Sequence, residues 1–560
     1  MQSVSKSTYI VFAAIIGLIV LSSFFFFRID LTTDKRYSIS PQTKTLMKSV
    51  TAPMEVTVYL TGDLNSGFQR LKKSTVEMFD ELNIYSRRNL NIRFVNPSEA
   101  ESNEEREKKF AELEQRGMTA TSVYEKDKEG KAIQKIIYPW VEITYKGKTI
   151  PVNLLKNIGG HSGEENLNIS IENLEFELTD AIRRLVSTEI EKIAFLEGHG
   201  ELSEIETYDA SRSLSRYFQI DRGVIGTDPS ILNEYKAVII AKPTEPFSEK
   251  DKFVIDQYIM NGGRILWLVD GVRISEESLS RMGMSPAMEL NLNLDDILFR
   301  YGVRINPVLI EDVQSALIPM NVAPKGEKLH FEPMPWVYAP LLLTSGENTI
   351  TKNIPPVKAQ FASALEMVGD NKSLKREFLL ASSDNTHIFQ TPANISLSEM
   401  PNLKDKNYFN LAYVPVAVAL EGTFQSVFAN RMTPKEITVP INIQKESVPT
   451  RQIVIADGDI IRNETEGTGN DIKPIPLGYD RITNQQFGNK DLITNSILYL
   501  TDKNGWMNLR SRTVALRLLN KNITTTQKTR WQIINVVFPL IILILFGLIY
   551  QLYRRRKYTR

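Results

Sequence analysis

The sequence predicts an α/β protein: an N-terminal α/β unit, then a doubly wound, mostly parallel sheet with a β-rich insertion, flanked by one transmembrane helix at each end. Three observations predict this fold. Apolar segments without charge lie near both ends, strands and amphipathic helices alternate from residue 190 to 310, and the alternation resumes after residue 450. With 560 residues, the chain is long enough for more than one hydrophobic core.

The composition excludes several classes of protein. The formal net charge is +1, so the chain has no overall field that would attract nucleic acid, and no nucleic-acid partner is expected. The absence of cysteine excludes disulfides, thiolate zinc sites, iron–sulfur clusters and a cysteine nucleophile. The histidines are scattered, and no two have the spacing of a helical zinc site. No cofactor or metal is therefore predicted.

The first apolar segment, residues 9–27, is expected to be an uncleaved membrane anchor that follows a cytoplasmic tail of residues 1–8. As a helix, these residues would span about 28 Å, close to the ~30 Å hydrocarbon thickness of a bilayer. The alternative is a cleaved signal peptide. Against it, the apolar run is long, it ends in phenylalanines at 24–27, and no A-x-A-like cleavage site follows.

The second apolar segment, residues 531–553, is expected to form another transmembrane helix. Trp531 precedes its uncharged stretch, and Tyr550 and Tyr553 close it, as aromatic residues do at membrane interfaces. Pro539 can be tolerated within such a helix. The alternative, a buried core helix, fits poorly because the segment ends almost at the end of the sequence.

The cations of residues 554–560, called the basic tail below, set the expected orientation. By the positive-inside rule the basic tail stays in the cytoplasm, so both termini are cytoplasmic and residues 28–530 lie across the membrane. The first span gives a contrary signal, since Lys6 precedes it and Arg28, Lys35 and Arg36 follow. The basic tail carries more weight because long domains translocate largely regardless of their own charge. The orienting residues are Arg554, Arg555, Arg556, Lys557 and Arg560.

Residues 28–187 are predicted to form the first domain, because strand-like and helix-like patterns follow each other along it. One helix is dense in Glu and Lys, and this run is expected to be a solvated face rather than a binding site. The predicted elements are a strand at 54–60, a helix at 71–82, a strand at 90–95, the charged helix at 101–116, a hairpin at 141–154 and a helix at 171–185.

Residues 190–310 and 451–510 are predicted to form one doubly wound domain, in which the late strand completes the sheet begun by the early ones. Ser248, with Asp251 three residues on, is a capping-box-like start for one of its helices. The predicted strands lie at 193–196, 237–240, 264–269 and 453–456, and the predicted helices at 208–217, 248–260 and 489–500.

Residues 311–450 lose the alternation and are rich in proline, which predicts a β-rich insertion. Within it, residues 331–336 form either a packed loop, which is favoured, or a partner-binding surface. Residues 511–530 would join the doubly wound domain to the second span.

Motifs of nucleotide, calcium and nucleophilic sites are incomplete. The sequence GKT at 147–149 resembles the end of a phosphate-binding loop, but Glu142 stands where glycine is needed. Asp457 and Asp459 begin like a calcium loop, but Arg462 stands where that loop needs glycine. No G-x-S-x-G nucleophile elbow occurs. The chain is therefore expected to lack an ATP site of its own.

One set of polar residues follows the predicted strands of the doubly wound domain. In open α/β sheets ligands bind at the carboxyl ends of the strands, so these side chains should share one edge. The functional interpretation is a crevice for a small ligand or sugar. The favoured alternative is loop chemistry, with glycines in tight turns and carboxylates capping helices. The residues are Glu197, His199, Glu201, Asp270, Asp457 and Asp459.

Several stretches resemble one known family. They are DKRYSIS at 34–40, VTVYLTGDLNSGFQRL at 56–71, KIAFLEGHGEL at 192–202, KPTEPFSEKDKFVIDQYIMNGGRILWLVD at 242–270, IVIADGD at 453–459 and GNKDLITNSILYLTD at 488–502. They are similar to the GldG-type, gliding-motility-associated ABC transporter auxiliary proteins of Bacteroidetes-type bacteria. The likeness covers most of the chain in the same order and only thinly covers the proline-rich middle.

The resemblance implies an inner-membrane subunit with a periplasmic body, working beside a separate ABC permease and a separate cytoplasmic ATPase in gliding or surface secretion. It also implies a central domain similar to glutamine amidotransferases. The chemistry of those enzymes is not expected here, because their nucleophile is a cysteine and this chain has none. The first hypothesis is thus a non-enzymatic auxiliary subunit that binds a partner or cargo. The alternative is a membrane-tethered periplasmic carbohydrate-binding protein or hydrolase that uses the predicted crevice.

Overall fold

A computed structural model describes residues 38–126, 132–159, 161–187, 189–323, 327–369, 371–439, 442–467, 469–510 and 526–558. The predicted first span, residues 9–27, lies outside the described residues, as do residues 511–525 and Arg560. The described residues belong to two units: residues 38–510, called the body below, and a C-terminal helix.

The first part of the body, residues 38–187, is a mixed sheet covered by helices, as the sequence predicts. Its helices are α1 (Pro41–Lys48), α2 (Ser66–Tyr85), α3 (Asn103–Gln115) and α4 (Gly163–Val186). Its strands are β1 (Met54–Val58), β2 (Leu90–Phe94), β3 (Thr121–Lys126), β4 (Ala132–Ile137), β5 (Trp140–Tyr145) and β6 (Lys148–Asn153).

The sheet of this part has the order β2-β1-β5-β6, with β1 and β2 parallel and the other pairs antiparallel. Helices α2 and α4 bury Phe79 and Leu178 against β1 and β5 in one core. Each such side chain contributes about 1.5–3 kcal/mol by leaving water. The hairpin predicted at 141–154 is confirmed as β5 and β6, and the solvated face predicted for the charged helix is confirmed, since only Leu113 of α3 is buried.

The second part of the body, residues 189–510, contains the larger core. Its helices are α5 (Tyr208–Leu214), α6 (Glu249–Met260), α7 (Glu276–Met282), α8 (Asp295–Tyr301) and α9 (Asn489–Thr501). Its strands are β7 (Glu191–Glu197), β8 (Phe218–Val224), β9 (Ala237–Ala241), β10 (Ile265–Leu268), β11 (Val272–Arg273), β12 (Met284–Glu289), β13 (Val303–Ile305), β14 (Val308–Asp312), β15 (Ser315–Asn321), β16 (Phe331–Thr344), β17 (Val357–Lys358), β18 (Leu365–Met367), β19 (Leu374–Ala381), β20 (Thr386–Gln390), β21 (Ala393–Ser396), β22 (Pro415–Gly422), β23 (Thr450–Ile455), β24 (Thr465–Glu466), β25 (Lys473–Pro474), β26 (Tyr479–Asp480) and β27 (Gln485–Gln486).

Five neighbouring strands of the large sheet run parallel, in the order β8-β7-β9-β10-β23. Strands β9 and β10 are buried along their whole length, the pattern of parallel strands covered on both faces. The pairing of β23 with β10 confirms that the strand after residue 450 completes the sheet begun by β7.

The other half of the large sheet is antiparallel. Strands β22, β19, β16 and β15 continue it beyond β23, and β17 pairs with β16. The predicted mostly parallel sheet is therefore correct for one half only. The described residues between α8 and β23 contain no helix, and strands joined without crossover helices pair antiparallel. The domain boundaries drawn from the sequence stay a prediction.

The proline-rich segment at 331–336 is the start of strand β16, so the predicted loop is wrong. Trp336 is buried, whereas Phe331 and Met334 are exposed. Proline is compatible with this position because β16 pairs with the edge strand β15, away from the centre of the sheet.

The C-terminal helix begins at Lys528 and runs as α10 (Lys528–Gln532), a π-helical turn (Ile533–Val537) and α11 (Phe538–Tyr558). Among the described residues it is the one helix long and apolar enough to cross a membrane. None of its apolar window is buried, which does not fit the alternative of a core helix. Pro539 lacks the N–H of a regular helix, and the wider turn lies just before it.

Candidate functional site

The carboxyl ends of β7, β9, β10 and β23 lie side by side, because these strands are neighbours in the parallel half of the sheet. The six residues predicted for a ligand crevice lie at the end of β7 or just after β7, β10 and β23 at this edge. Their partners divide them into three groups, named below the aspartate group (Asp270, Asp457 and Asp459), the histidine group (His199 and Glu201) and Glu197.

The aspartate group brings three carboxylates together. Oxygen atoms of Asp270, Asp457 and Asp459 all lie within 4.8 Å of one another. The turn after β23 makes this possible: the Gly458 N–H donates to Oδ1 of Asp270 at 2.6 Å, and the Asp459 N–H donates to Oδ1 of Asp457 at 2.7 Å. The structure thus brings together three of the six side chains that the sequence placed at this edge.

Lys242, directly after β9, neutralises this group. Its Nζ donates to Asp459 and lies 3.5 Å from Oδ2 of Asp270. Burial alone would lower the pKa of Lys242, but the two carboxylates outweigh burial and raise the pKa, so the ammonium is kept charged. Lys242 was not predicted from the sequence, although the rule that selected acidic residues at strand ends applies equally to a basic residue.

Arg462 binds the outer side of the aspartate group. Its guanidinium donates to both carboxylate oxygens of Glu276, at 2.6 and 2.8 Å, and to Oδ1 of Asp459 at 2.8 Å. Burial raises the pKa of Asp457 well above its usual value, and the carboxylates of Asp459 and Asp270 add to that rise. Three carboxylates at this spacing suit a hard cation, but the ammonium of Lys242 already serves as their counter-charge.

The histidine group is a clamp of one imidazole between two carboxylates. Nδ1 of His199 lies 3.1 Å from Oε1 of Glu201, and Nε2 lies 3.3 Å from Oδ2 of Asp251. The ring stacks on Phe247 with 3.7 Å between centroids. Burial lowers the pKa of His199, but hydrogen bonds to Asp251 and Glu201 outweigh it and raise the pKa to about 9. His199 is therefore an imidazolium at neutral pH, not a general base.

The clamp ties the loop after β7 to the start of helix α6. Ser248 caps α6 by accepting from the Asp251 N–H at 3.1 Å, which confirms the predicted helix start. Gly200 has φ +71°, and a Cβ there would lie 2.1 Å from Oγ1 of Thr244, so the loop needs glycine. Gly200 thus serves a tight turn, as the loop alternative expects, whereas Glu201 pairs with His199 rather than capping a helix.

Glu197 has a separate partner. Its Oε1 accepts from Nε of Arg222 at 2.7 Å. The same guanidinium donates to Oγ1 of Thr207 at 2.9 Å and to the carbonyl of Leu202 at 2.7 Å. Arg222 therefore fastens the loop after β7 to strand β8, and the sequence carried no pattern that would have singled it out.

The outer side of the aspartate group lines a small cavity. Within the described part of the chain, the cavity that Asp459, Arg462 and Lys358 line measures about 50 Å³. That volume is comparable to about two water molecules. Ligand binding by the six predicted residues stays a prediction, and the geometry shows ion pairs along this edge.

A much larger cavity, about 1040 Å³, opens beside α8 and β13. It touches the aspartate group only through Asp270. Its volume is at the upper end of the ~300–1,000 Å³ typical of small-molecule sites. The sequence analysis did not predict it.

Comparison with known families now decides the family. A family model described as "ABC-type uncharacterized transport system", an ABC transporter auxiliary family, matches residues 191–496, from the first residue of β7 into α9. The match covers more than half of the chain. The chain belongs to this family. It is thus an auxiliary protein of ABC transport, a membership that implies partnership with transporter components and supports a non-catalytic role.

Other comparisons add relatives without a function. A model described as a domain of unknown function matches residues 33–144. An uncharacterized protein of Borreliella burgdorferi is 22% identical over 551 residues, covering 95% of this chain and 94% of the relative. A solved structure titled "mmIFT52 N-terminal domain" covers 49% of this chain and 88% of its own, at 15% identity and a TM-score of 0.28, a likeness too low to support an argument.

Proposed function

We propose that the chain is a non-catalytic auxiliary subunit of a GldG-type ABC transporter, linked to gliding motility or surface secretion, whose body binds a partner or cargo. The observation that carries the proposal is the family match through residues 191–496, which begins with the first strand of the parallel sheet half. ATP would be hydrolysed by a separate cytoplasmic subunit, and a separate permease would form the channel.

The chemistry of the sheet edge supports a non-catalytic role. His199 is held as a cation between two carboxylates, and Lys242 and Arg462 are bound to aspartates. A general base or nucleophile needs a free lone pair beside open space. Within the described residues, these groups have neither, so the alternative of a periplasmic hydrolase or carbohydrate-binding protein gains no support from this edge.

The proposed location is the bacterial inner membrane, with two spans, both termini cytoplasmic and the body periplasmic. The apolar C-terminal helix supports membrane association, and the basic tail supports the orientation. Each tail charge would cost about 2.5–3.5 kcal/mol at a helix centre, and anionic lipid adds ~1 kcal/mol of attraction per basic residue at the cytoplasmic surface.

Affinity purification in mild detergent tests the transporter assembly. The tagged full chain should bring down a permease and an ATPase in a fixed ratio. A matched variant, with residues 533–550 replaced by an unrelated apolar span of equal length, should stay in the membrane and lose the permease. Recovery of the unaltered chain alone, under conditions that keep another ABC transporter of the same membrane intact, would overturn the proposal.

Reporter fusions test the orientation separately. A reporter fused after Arg560 should be active only in the cytoplasm, and protease added to spheroplasts should digest the body. A protected body together with a cleaved basic tail would show the inverted topology and remove the periplasmic role.

A further inference from the structure

The large cavity beside α8 contains arginines that the fold does not use. Arg300 at the end of α8, Arg304 in β13 and Arg376 in β19 all line it. Within the described part of the chain, none of the three makes an ion pair or a side-chain hydrogen bond. This differs from the sheet edge, where the guanidinium of Arg462 has two carboxylate partners.

Arg376 is the most unusual of the three. Its Nε and Nη2 atoms are buried from solvent and have no hydrogen-bond partner. A buried donor without a partner costs about 1–3 kcal/mol, more when it is charged, so such a group persists where something else accepts from it. Nε and Nη2 form one edge of the guanidinium fork, which fits a carboxylate or phosphate through two parallel hydrogen bonds once the side chain turns that edge towards the cavity it lines.

The backbone makes room for this guanidinium. Gly302, between Arg300 and Arg304 in the chain, has φ +100°, and a Cβ there would lie 3.2 Å from Nη2 of Arg376. Gly302 ends helix α8 with its own N–H bonded to the helix, and its missing Cβ leaves room for the Arg376 guanidinium.

Acidic residues also line the cavity, and two of them are already neutralised. Asp270 lies 3.5 Å from Nζ of Lys242. Asp296 binds both Lys252 and Arg431, at 2.7 Å in each case. The rest of the acidic lining is Glu289, Asp295 and Glu446, which balances the three unpaired arginines in number. The arginines therefore give the cavity no overall positive charge, and their attraction for an anion is confined to their own surroundings.

The remaining walls near the arginines are apolar. Leu294, Leu298, Val303 and Leu374 are buried core residues that also line the cavity. A cavity lined both by arginines and by leucine side chains suits a ligand that is itself charged at one end and apolar along the rest.

We infer that this cavity binds an anionic amphiphile, a carboxylate or phosphate joined to an apolar chain, with Arg376 as the bidentate partner of the anion. The inference deepens the proposed function by naming the class of cargo, and it rests on the proposed function in that respect only. The same chemistry occurs in a free fatty acid and in an anionic lipid headgroup, so the test treats both.

Photolabelling of the full chain in nanodiscs of zwitterionic lipid tests the inference. The probes are a diazirine-bearing palmitate, a diazirine-bearing phosphatidate and, as the neutral control, the diazirine-bearing alcohol of the same chain length. We expect palmitate or phosphatidate to label residues 294–304 or 371–376, with the more strongly labelling probe identifying the source. The alcohol should label these residues at least about tenfold less, since charged hydrogen bonds of this kind account for a tenfold or larger difference.

Variants make the test specific to Arg376. R376M should lower the labelling about tenfold and R376K should restore part of it, while R281M, which removes an exposed arginine outside the cavity, should leave it unchanged. Four results would each overturn the inference. They are equal labelling of the unaltered chain and R376M, equal labelling by the acid and the alcohol, labelling confined to the C-terminal helix, and competition by inorganic phosphate as strong as that by dodecyl phosphate. Labelling uses the chain alone, so its failure is distinguishable from failure of the proposed function. Labelling can fail while the permease and the ATPase still co-purify, and it can succeed when they do not.

Discussion

Two regions beyond the carboxyl end of β10 show opposite uses of charge. At the carboxyl edge of the parallel strands, each of the charged side chains Lys242, His199 and Arg222 holds one or more carboxylates. In the cavity beside α8, Arg376 has buried donors with no partner. Paired charges stabilise a fold, whereas unpaired ones cost stability and are typical of places where a ligand completes the site. The difference suggests that the edge serves folding and the cavity serves binding.

Removal of the Lys242 ammonium should have the largest effect. K242M leaves Asp270 and Asp459 buried beside each other without their cation, and loss of one partner of a buried ion pair costs about 3–5 kcal/mol. Urea unfolding of the full chain in mild detergent measures this loss. The double variant K242M/D459N, which also removes one carboxylate, should recover part of it. A K242M protein as stable as the unaltered chain would show that the aspartate group is not an ion-paired network.

The histidine group should give the next largest effect, and it should depend on pH. The unfolded pKa of His is about 6.5 and the folded pKa is raised to about 9, so the stabilisation is complete below pH ~6.5 and is lost as the pH rises through about 9. Hydrogen bonds from His199, Ser248 and Lys250 outweigh burial and lower the pKa of Asp251 to about 2, so its contribution is present above pH ~4 and is lost as the pH falls through about 2.

The free energy of unfolding should therefore contain a contribution of about 3 kcal/mol from His199 that disappears between pH 6.5 and 9. H199Q keeps hydrogen-bonding groups but cannot be protonated, and its stability should lack this alkaline decline. Unfolding curves of both proteins at several pH values measure the difference. Parallel pH profiles would contradict the clamp, because they would mean that His199 titrates alike in folded and unfolded chains.

Loss of the Arg222 guanidinium should have a moderate effect. R222M removes hydrogen bonds to Glu197, Thr207 and the Leu202 carbonyl, and we expect a cost of about 1–2 kcal/mol because Glu197 is partly exposed to water. Hydrogen exchange of residues 198–202 should rise in step with the lost stability. The control R281M removes an exposed pair with Glu277 and should change neither quantity measurably.

The sequence predicted the parts of this comparison that depend on pattern. The apolar runs at β9 and β10 indicated buried parallel strands. Acidic residues that directly follow such strands were therefore expected at the carboxyl edge of the sheet. The sequence predicted that residues 311–450 are rich in strands, but it did not predict that these strands continue the large sheet, because short strands in a proline-rich segment carry no fixed period that would indicate their partners. The cavity escaped because Arg300, Arg304 and Arg376 come from separate elements, and the lack of a partner is a property of the folded chain rather than of the sequence.

Loss of the Arg376 guanidinium should have the smallest effect on stability, and of the opposite sign. R376M removes buried donors that have no partner and keeps an unbranched apolar side chain in the same space, so the unliganded protein should be unchanged or more stable by up to about 1 kcal/mol. R376K keeps a positive charge there and should show no such gain. Unfolding of both variants without added amphiphile measures the change, with R281M as the exposed control. A loss above about 1 kcal/mol in R376M would place Arg376 among the residues that hold the fold, and the contrast between the sheet edge and the cavity would then no longer separate folding from binding.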